Sequence, residues 1–272
     1  MENLLIYSAK LGYLDVIKLI MTSSTSQDTR DSSRIPSKRV NAALLIACSN
    51  KHLDVVDYLL SEYSMSGITL NSLLFLAIIQ DNLSAASFLC ENGADVNSHN
   101  SEGSSVLRVI CERYRFKLVG ELLTSTITTD STPTTAIDTG HNSDLSMLEL
   151  VLKHGADPNV YYTDTGYTIL LDTIQWICLY KPTLIGINMI TLLLHYGCDI
   201  NKGQNYTCET VLMIATSHRH IALIKVLLEL GADVNRKNRG NMSVLDILKE
   251  VEKDVVNEEI LRLLLIGDVT GV

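Results

Sequence analysis

Aromatic residues make up only 6% of the 272-residue sequence, with one tryptophan and three phenylalanines, and there are four prolines. A core with so few rings has to be filled by Leu, Ile, Val and Ala, which suits helices packed edge to edge through small and aliphatic side chains. Positive charge is also scarce: 22 Lys and Arg stand against 31 Asp and Glu, a net charge of −9. Phosphate recognition needs a basic field, so a general nucleic-acid binder and a membrane-surface protein are both excluded. The six cysteines are scattered singly with no Cys-x-x-Cys pair. Such residues act on helical faces as small hydrophobes, and a reducing compartment is expected. The opening Met1-Glu2-Asn3-Leu4-Leu5-Ile6-Tyr7 lacks a basic stretch and a small-residue cleavage site. No apolar run approaches the roughly 18 residues of a spanning helix. The expectation is a protein of the cytoplasm or nucleus, with no membrane association. Three Asn-x-Ser/Thr triplets, at Asn82, Asn205 and Asn241, are read as chance.

Hydrophobic residues reach 46% and charged ones 19%, enough for a substantial core. They recur in units. Residues 3–23 read Leu-Leu-Ile-Tyr-Ser-Ala, then Gly12-Tyr13-Leu14-Asp15-Val16-Ile17-Lys18-Leu19-Ile20, apolar at helical spacing on both sides of Gly12. After an exposed Ser/Thr-rich loop over 22–39 with Pro36, the pattern returns from Ala43 to Leu60. It returns again from Ser72 to Cys90, closing on Gly93-Ala94-Asp95-Val96-Asn97. A Gly at that place ends a helix in the left-handed region, and Asp and Asn bond the turn that follows.

A fourth unit spans Ser105 to Leu123, 33 residues from Gly93 to its equivalent Thr126. Residues 124–143 are a Thr-rich insertion or degenerate repeat: either Thr132 to Thr139 form the weak first helix of a fifth unit, or residues 105–123 form one long helix with a disordered loop after it; Asp144 to His154 then form an amphipathic helix ending Gly155-Ala156-Asp157-Pro158-Asn159. The sixth unit, Gly166 to Asn201, carries extra residues around Trp176 to Gly186, where Pro182 stops its first helix. The clearest unit runs from Cys208 to Asn235, and a capping unit over 241–267 takes in an acidic stretch from Lys249 to Glu259. A polar outer face is expected of such a cap.

Thr210-Val211-Leu212-Met213-Ile214-Ala215 has the spacing of the ankyrin signature Thr-Pro-Leu-His-x-Ala, with Val for Pro and Met for His. Leu227-Leu228-Glu229-Leu230-Gly231-Ala232-Asp233-Val234-Asn235 is similar to that family's second helix and turn. Nearly the whole chain therefore resembles an ankyrin-repeat protein, although the usual Pro is missing throughout and the Gly-His between helices survives only as His52 and His220. The resemblance implies a single all-α domain over 1–272, with short β-hairpin-like turns: a solenoid of about seven to eight helix-turn-helix units. It also implies a concave surface of turn tips and first helices on which another protein docks.

The tips with most chemical character are Ser98 to Glu102, Tyr161-Tyr162-Thr163-Asp164, Gln204-Asn205-Tyr206 and Arg236-Lys237-Asn238-Arg239. Tyr and Arg are common interface anchors. The candidate partner-binding residues are Tyr161, Tyr162, Asp164, Lys202, Tyr206, Arg236, Lys237 and Arg239, each equally readable as part of a solvated turn. A basic patch of Arg236, Lys237 and Arg239 with Lys202 and Arg219 suits an acidic peptide, and a second group comprises Arg108, Arg113, Arg115 and Lys117. Trp176 fills either the core or a groove.

No glycine-rich phosphate loop, nucleophile elbow or metal-ligand set is present, and His218 and His220, two residues apart, point to different sides of a helix. No cofactor or metal is expected. The family resemblance further implies that Asn97, Asn201 and Asn235 lie in a pattern like that of asparagines hydroxylated in some relatives, beside the plainer role of turn residues.

The expected function is a non-catalytic, monomeric scaffold binding a partner protein. The alternatives are an adaptor for a ubiquitin ligase, a pathogen protein sequestering host factors, and an enzyme with a pocket at 124–143 or 176–186. Adaptors of this family carry an extra box after the repeats, for which the residues after Ile266 are too few.

Overall fold

The computed structural model describes residues 2–23, 35–63, 69–115, 145–180, 183–250 and 255–270. Apart from the turns and hairpin tips between helices they are helical, and they group into two compact units, the first holding 2–115 and 146–155 and the second holding 145 and 156 onward.

In the first unit, α1 (Glu2–Leu11) and α2 (Leu14–Ser23) form one helix pair. Next come α3 (Ser37–Ser49) with α4 (Leu53–Tyr63), then α5 (Leu70–Ile79) with α6 (Leu83–Glu91). A helical run over 106–115 (α7) and α8 (Ser146–Lys153) complete it. Helix α1 packs on α3, α3 on α5, α2 on α4 and α6 on α8. First helices are sandwiched between neighbours, and α5 is accordingly buried at Leu73, Leu74, Phe75, Ala77 and Ile78. Second helices bury one stripe, as α6 does with Ala85, Ala86, Phe88 and Leu89.

The second unit repeats this order. Its members are α9 (Ile169–Tyr180), α10 (Thr183–His195), α11 (Val211–Ser217), α12 (Ile221–Glu229), α13 (Val244–Glu250) and α14 (Val255–Thr270). Helix α11 lies between α9 and α13, and α12 packs on α14.

Local chemistry sets each boundary. A hydroxyl caps the first helix: Thr69 accepts from Ser72 N at 3.2 Å, Thr168 from Leu171 N at 3.4 Å and Thr210 from Met213 N at 3.4 Å. Ser243 and Asp246 bond each other's backbone N–H reciprocally, a capping box, and these bonds hold the Asp246 carboxyl down at about 2. Between the helices of a pair stands one residue with positive φ: Gly12, Lys51, Asp81 and Arg219. After Asp81 and Arg219 the residue that follows caps the second helix. Asn82 accepts from Ala85 N at 3.0 Å while its amide reaches back to Ser49 Oγ at 2.7 Å, and His220 Nδ1 accepts from Leu223 N at 3.3 Å. His52 bonds the Lys10 carbonyl through Nε2 at 3.0 Å, and the two surviving histidines of the inter-helix motif are therefore structural.

Several expectations are corrected. The loop expected over 22–39 loses both ends: Thr22 and Ser23 belong to α2, and Ser37 to Arg39 form the first turn of α3, because Pro36 stands at its N-cap with φ −56° and ψ 136°. Of the two readings of Trp176, core or groove, the core one holds: it is 5% exposed, with its ring 6.0 Å from that of Tyr180. The expected acidic insertion is partly helical, since Lys249 and Glu250 end α13 and α14 begins at Val255. The outer face of α14 is not wholly polar, with Leu261 41% and Leu265 49% exposed. The alternatives for 124–143 lie outside the described residues.

Candidate functional site

The candidate residues all fall in the second unit, and three hairpin tips carry them. In the first hairpin Tyr162 N bonds Tyr167 O at 2.7 Å and Gly166 N bonds Tyr162 O at 2.8 Å. The second repeats this with Gln204 N to Glu209 O at 2.9 Å and Cys208 N to Gln204 O at 2.8 Å. In the third, Asn238 N bonds Met242 O at 3.0 Å and Asn241 N bonds Asn238 O at 2.9 Å. The residue before closure is left-handed each time: Gly166, Cys208 and Asn241 at φ 66°, 60° and 60°. Gly and Asn accept this region readily, whereas Cys208 is held there by the hairpin around it. A Cβ on Gly203 would lie 2.6 Å from Cys208 O, so glycine alone lets that turn close.

Backbone bonds also join one tip to the next. Asn205 N donates to Gly166 O at 2.9 Å, and Arg239 N donates to Thr207 O at 2.7 Å. Gln204, 6% exposed, organises the middle tip from inside. Its Oε1 accepts from Tyr206 N at 2.7 Å and Thr207 N at 2.6 Å, while its Nε2 donates to Thr165 O of the preceding tip at 2.6 Å.

Beneath the tips runs a second set of links. Asn159 Nδ2 donates to Gly197 O at 2.9 Å and Asn159 Oδ1 accepts from Asp199 N at 2.8 Å. Asn201 does the same one repeat on, toward Gly231 O at 3.4 Å and Asp233 N at 2.8 Å. Within each turn the Asp carboxylate accepts from the Asn backbone N–H, as in Asp199 with Asn201 N at 2.8 Å. These asparagine side chains are therefore engaged between repeats, a role beyond the turn itself. Their recurrence at one place in four units, as Asn97, Asn159, Asn201 and Asn235, was the sequence signal for it.

The eight candidates divide. Tyr162 is 7% exposed, so its ring belongs to the core and is not presented to a partner; hairpin closure at its N–H and carbonyl turns it inward. Tyr161 is half-buried: its hydroxyl donates to Gly203 O at 3.1 Å, and Lys202 Nζ stands 4.5 Å over its ring while donating to Asn159 O at 2.7 Å. Burial first, then the neighbouring Cys208 and Asp199, raise the Tyr161 phenol above its ordinary value. This pair braces the first two tips. Asp164 is exposed and accepts from Thr165 N. Tyr206 is 49% exposed, its hydroxyl 3.3 Å from Thr163 O. Arg236, Lys237 and Arg239 are exposed on the third tip; Arg236 lies 3.7 Å from Asp233, a surface pair that leaves it available.

Of the second basic group, in the first unit, Arg108 and Arg113 are engaged elsewhere, and Lys117 lies outside the described residues. Arg108 pairs with Glu112 at 3.0 Å, and Arg113 pairs with Asp81 at 3.4 Å while donating to the Ile78 and Ile79 carbonyls at the end of α5. Arg113 also lines a shallow cleft with Ile78, Asp81, Ile110, Tyr114 and Met147, where it serves that helix terminus. Among the described residues no group of three or more His, Cys, Asp or Glu is placed to hold a metal ion, and no helix is long and apolar enough to cross a membrane.

A family model described as ankyrin repeats (3 copies) matches residues 5–100 and 142–238, more than half of the chain. A putative ankyrin repeat protein of Rickettsia bellii (strain RML369-C) is 28% identical over 186 residues, 62% of this chain and 42% of that protein. Ankyrin repeat and SOCS box protein 6 of Homo sapiens is 30% identical over 127 residues, 44% of this chain and 27% of that protein. Putative ankyrin repeat protein R841 of Acanthamoeba polyphaga mimivirus is 26% identical over 192 residues, 60% of this chain and 30% of that protein. The chain spans less than half the length of each of these relatives. Capped helix pairs, left-handed turns and hairpin tips recur at the places the family pattern requires, and the chain belongs to the ankyrin-repeat family.

Proposed function

We propose that this chain is a non-catalytic scaffold that binds an acidic, extended segment of a partner protein across the hairpin tips of its second unit, on the concave side of the repeats. Ankyrin repeats are generally protein-interaction modules, and the family is typically non-enzymatic. The observation that carries the reading is the exposed set of Tyr206, Arg236, Lys237 and Arg239 on tips joined by backbone hydrogen bonds. Rigid presentation of a ring and several cations lowers the ordering entropy of binding. Tyr161 and Lys202 act beneath as positioning residues. Asp164, exposed on the first tip, gives that edge the opposite sign and sets the direction in which an acidic segment lies.

The test is capture from a cell lysate by the wild type beside Arg236→Glu/Lys237→Glu/Arg239→Glu and Tyr206→Ala, each first shown to keep its circular dichroism. A protein held by the wild type, and lost from both variants, supports the reading. Equal retention by all three contradicts it. The relatives named ankyrin repeat and SOCS box protein 6 favour a second reading, an adaptor that delivers the partner to a ubiquitin ligase. Co-purification of ligase subunits with the chain tests that reading.

A further inference from the structure

Tyr13, His52, Asn82 and His220 stand at one place in the fold, just after the left-handed residue between paired helices. Asn82 and His220 do the same work there. Asn82 Oδ1 accepts the Ala85 N–H at 3.0 Å to cap α6, and His220 Nδ1 accepts the Leu223 N–H at 3.3 Å to cap α12. The two caps differ in what a proton does to them. A carboxamide oxygen accepts throughout the physiological pH range, whereas an imidazole nitrogen accepts only while it is unprotonated.

The bond from Leu223 fixes His220 as the neutral tautomer with its proton on Nε2, so a second proton goes to Nδ1, the atom that holds the cap. The imidazolium has no acceptor left, and turning the ring supplies no substitute. It also sets a positive charge at the N-terminus of α12, where the helix dipole favours a negative one. Both effects fall on one turn, whose Leu223 side chain is 3% exposed. Few charges stand near enough to offset them. Of the helices packed on α12, α11 carries no ionisable side chain, and α14 brings Glu258, Glu259 and Arg262. Glu259 is taken up by Lys225 of α12 at 3.2 Å. The turn before the cap adds Arg219 and His218, whose Nε2 lies 3.5 Å from Gln175 Nε2, and α12 ends on Glu229.

We propose that His220 is a proton-operated latch at the start of α12, closed while the imidazole is neutral and opened by mild acid. The folded chain uses the neutral form, so the cap's contribution is complete above the ordinary imidazole value of about 6.5 and is lost as pH falls below it. The repeat that the latch closes is the one that leads into Arg236, Lys237 and Arg239.

Urea unfolding at pH 7.5 and pH 5.0 is the test, with His220→Asn beside the wild type, since asparagine serves at the equivalent position 82. Between the two pH values the folding constant of the wild type should fall about five- to tenfold further than that of His220→Asn. Carboxylates that titrate in both proteins cancel in that comparison. His220→Ala lacks the cap at either pH. It should be weaker already at pH 7.5 and should show no extra loss in acid, which separates the proton from the mere presence of the side chain. His218→Asn should keep the wild-type loss. Imidazole nitrogen shifts should place the His220 proton on Nε2 at pH 7.5, and the Leu223 amide signal should move with the midpoint of the ring. Equal acid losses in wild type and His220→Asn overturn the proposal. So does a proton on Nδ1 at pH 7.5, or an acid loss abolished by His218→Asn.

Discussion

Asn159 holds Asp199 across the junction between two repeats: its side-chain oxygen accepts the Asp199 backbone N–H at 2.8 Å while its amide donates to the Gly197 carbonyl at 2.9 Å. One side chain thus satisfies two backbone groups of the neighbouring turn. Each such bond contributes roughly 0.5 to 1.5 kcal/mol net, so Asn159→Ala is expected to lower unfolding stability by about 1 to 2 kcal/mol. Asn201→Ala costs no more, because its amide reaches Gly231 O only at 3.4 Å. Urea midpoints of the two variants check the magnitude and the ranking.

Glycines at equivalent conformations are expected to differ in sensitivity. Gly12 has φ +72° and a Cβ there would lie 2.6 Å from His52 Nδ1, whereas at Gly93, φ +91°, a Cβ would meet nothing within 4 Å. Left-handed strain alone costs an alanine about 1 kcal/mol or somewhat more. Gly93→Ala should show that and little else. Gly12→Ala should cost roughly 2 to 3 kcal/mol, since the His52 ring must also give way. Adding His52→Ala should return part of the difference, a coupling that thermal or urea unfolding of the double variant measures.

Gln204 lies under the tips, and removing it leaves Thr165 O, Tyr206 N and Thr207 N without their side-chain partner. Gln204→Ala is expected to destabilise by about 2 to 3 kcal/mol and to weaken partner capture although no surface residue is changed. Gln204→Glu keeps the acceptor but sets an oxygen against Thr165 O. It should not restore binding.

The thiols give a pH dependence. Burial pushes Cys48 and Cys198 up to about 12 and Cys178 up to about 11. A pKa raised in the folded state favours the protonated thiol, so its contribution is present below the ordinary thiol value and is lost as pH rises toward the folded value. Stability should therefore fall between about pH 9 and about 12. At pH 8, Cys208, the one exposed cysteine of the six, should label rapidly in the native protein and the four buried ones only on unfolding. Cys208→Ser should abolish the fast phase seen with a thiol reagent.

The repeat architecture was legible in the sequence because its determinants are local. The hydroxyl before most first helices, the glycine after α6, α8, α10 and α12, and the period between them all act within a few residues. The N-cap effect of Pro36 was equally local but masked by the Ser/Thr-rich surroundings, which is why Ser37 to Arg39 read as loop. The site was legible only as a set of tips. Adjacent tyrosines 161 and 162 look alike in sequence, and only hairpin closure separates the braced ring from the buried one. Links such as Asn159 to Asp199, or Gln204 to Thr165, join residues about forty positions apart, and no local pattern encodes them.

The central claim is that a partner lies across the tips of the second unit, and site-specific photo-crosslinking tests it most directly. A photoreactive phenylalanine analogue is placed at Tyr206 on the tips and, separately, at the exposed Ala222 of α12. The account predicts a crosslinked partner from position 206, lost when Arg236, Lys237 and Arg239 are reversed in charge and weakened by added salt, with none from position 222. A partner crosslinked from 222 and not from 206 would contradict it.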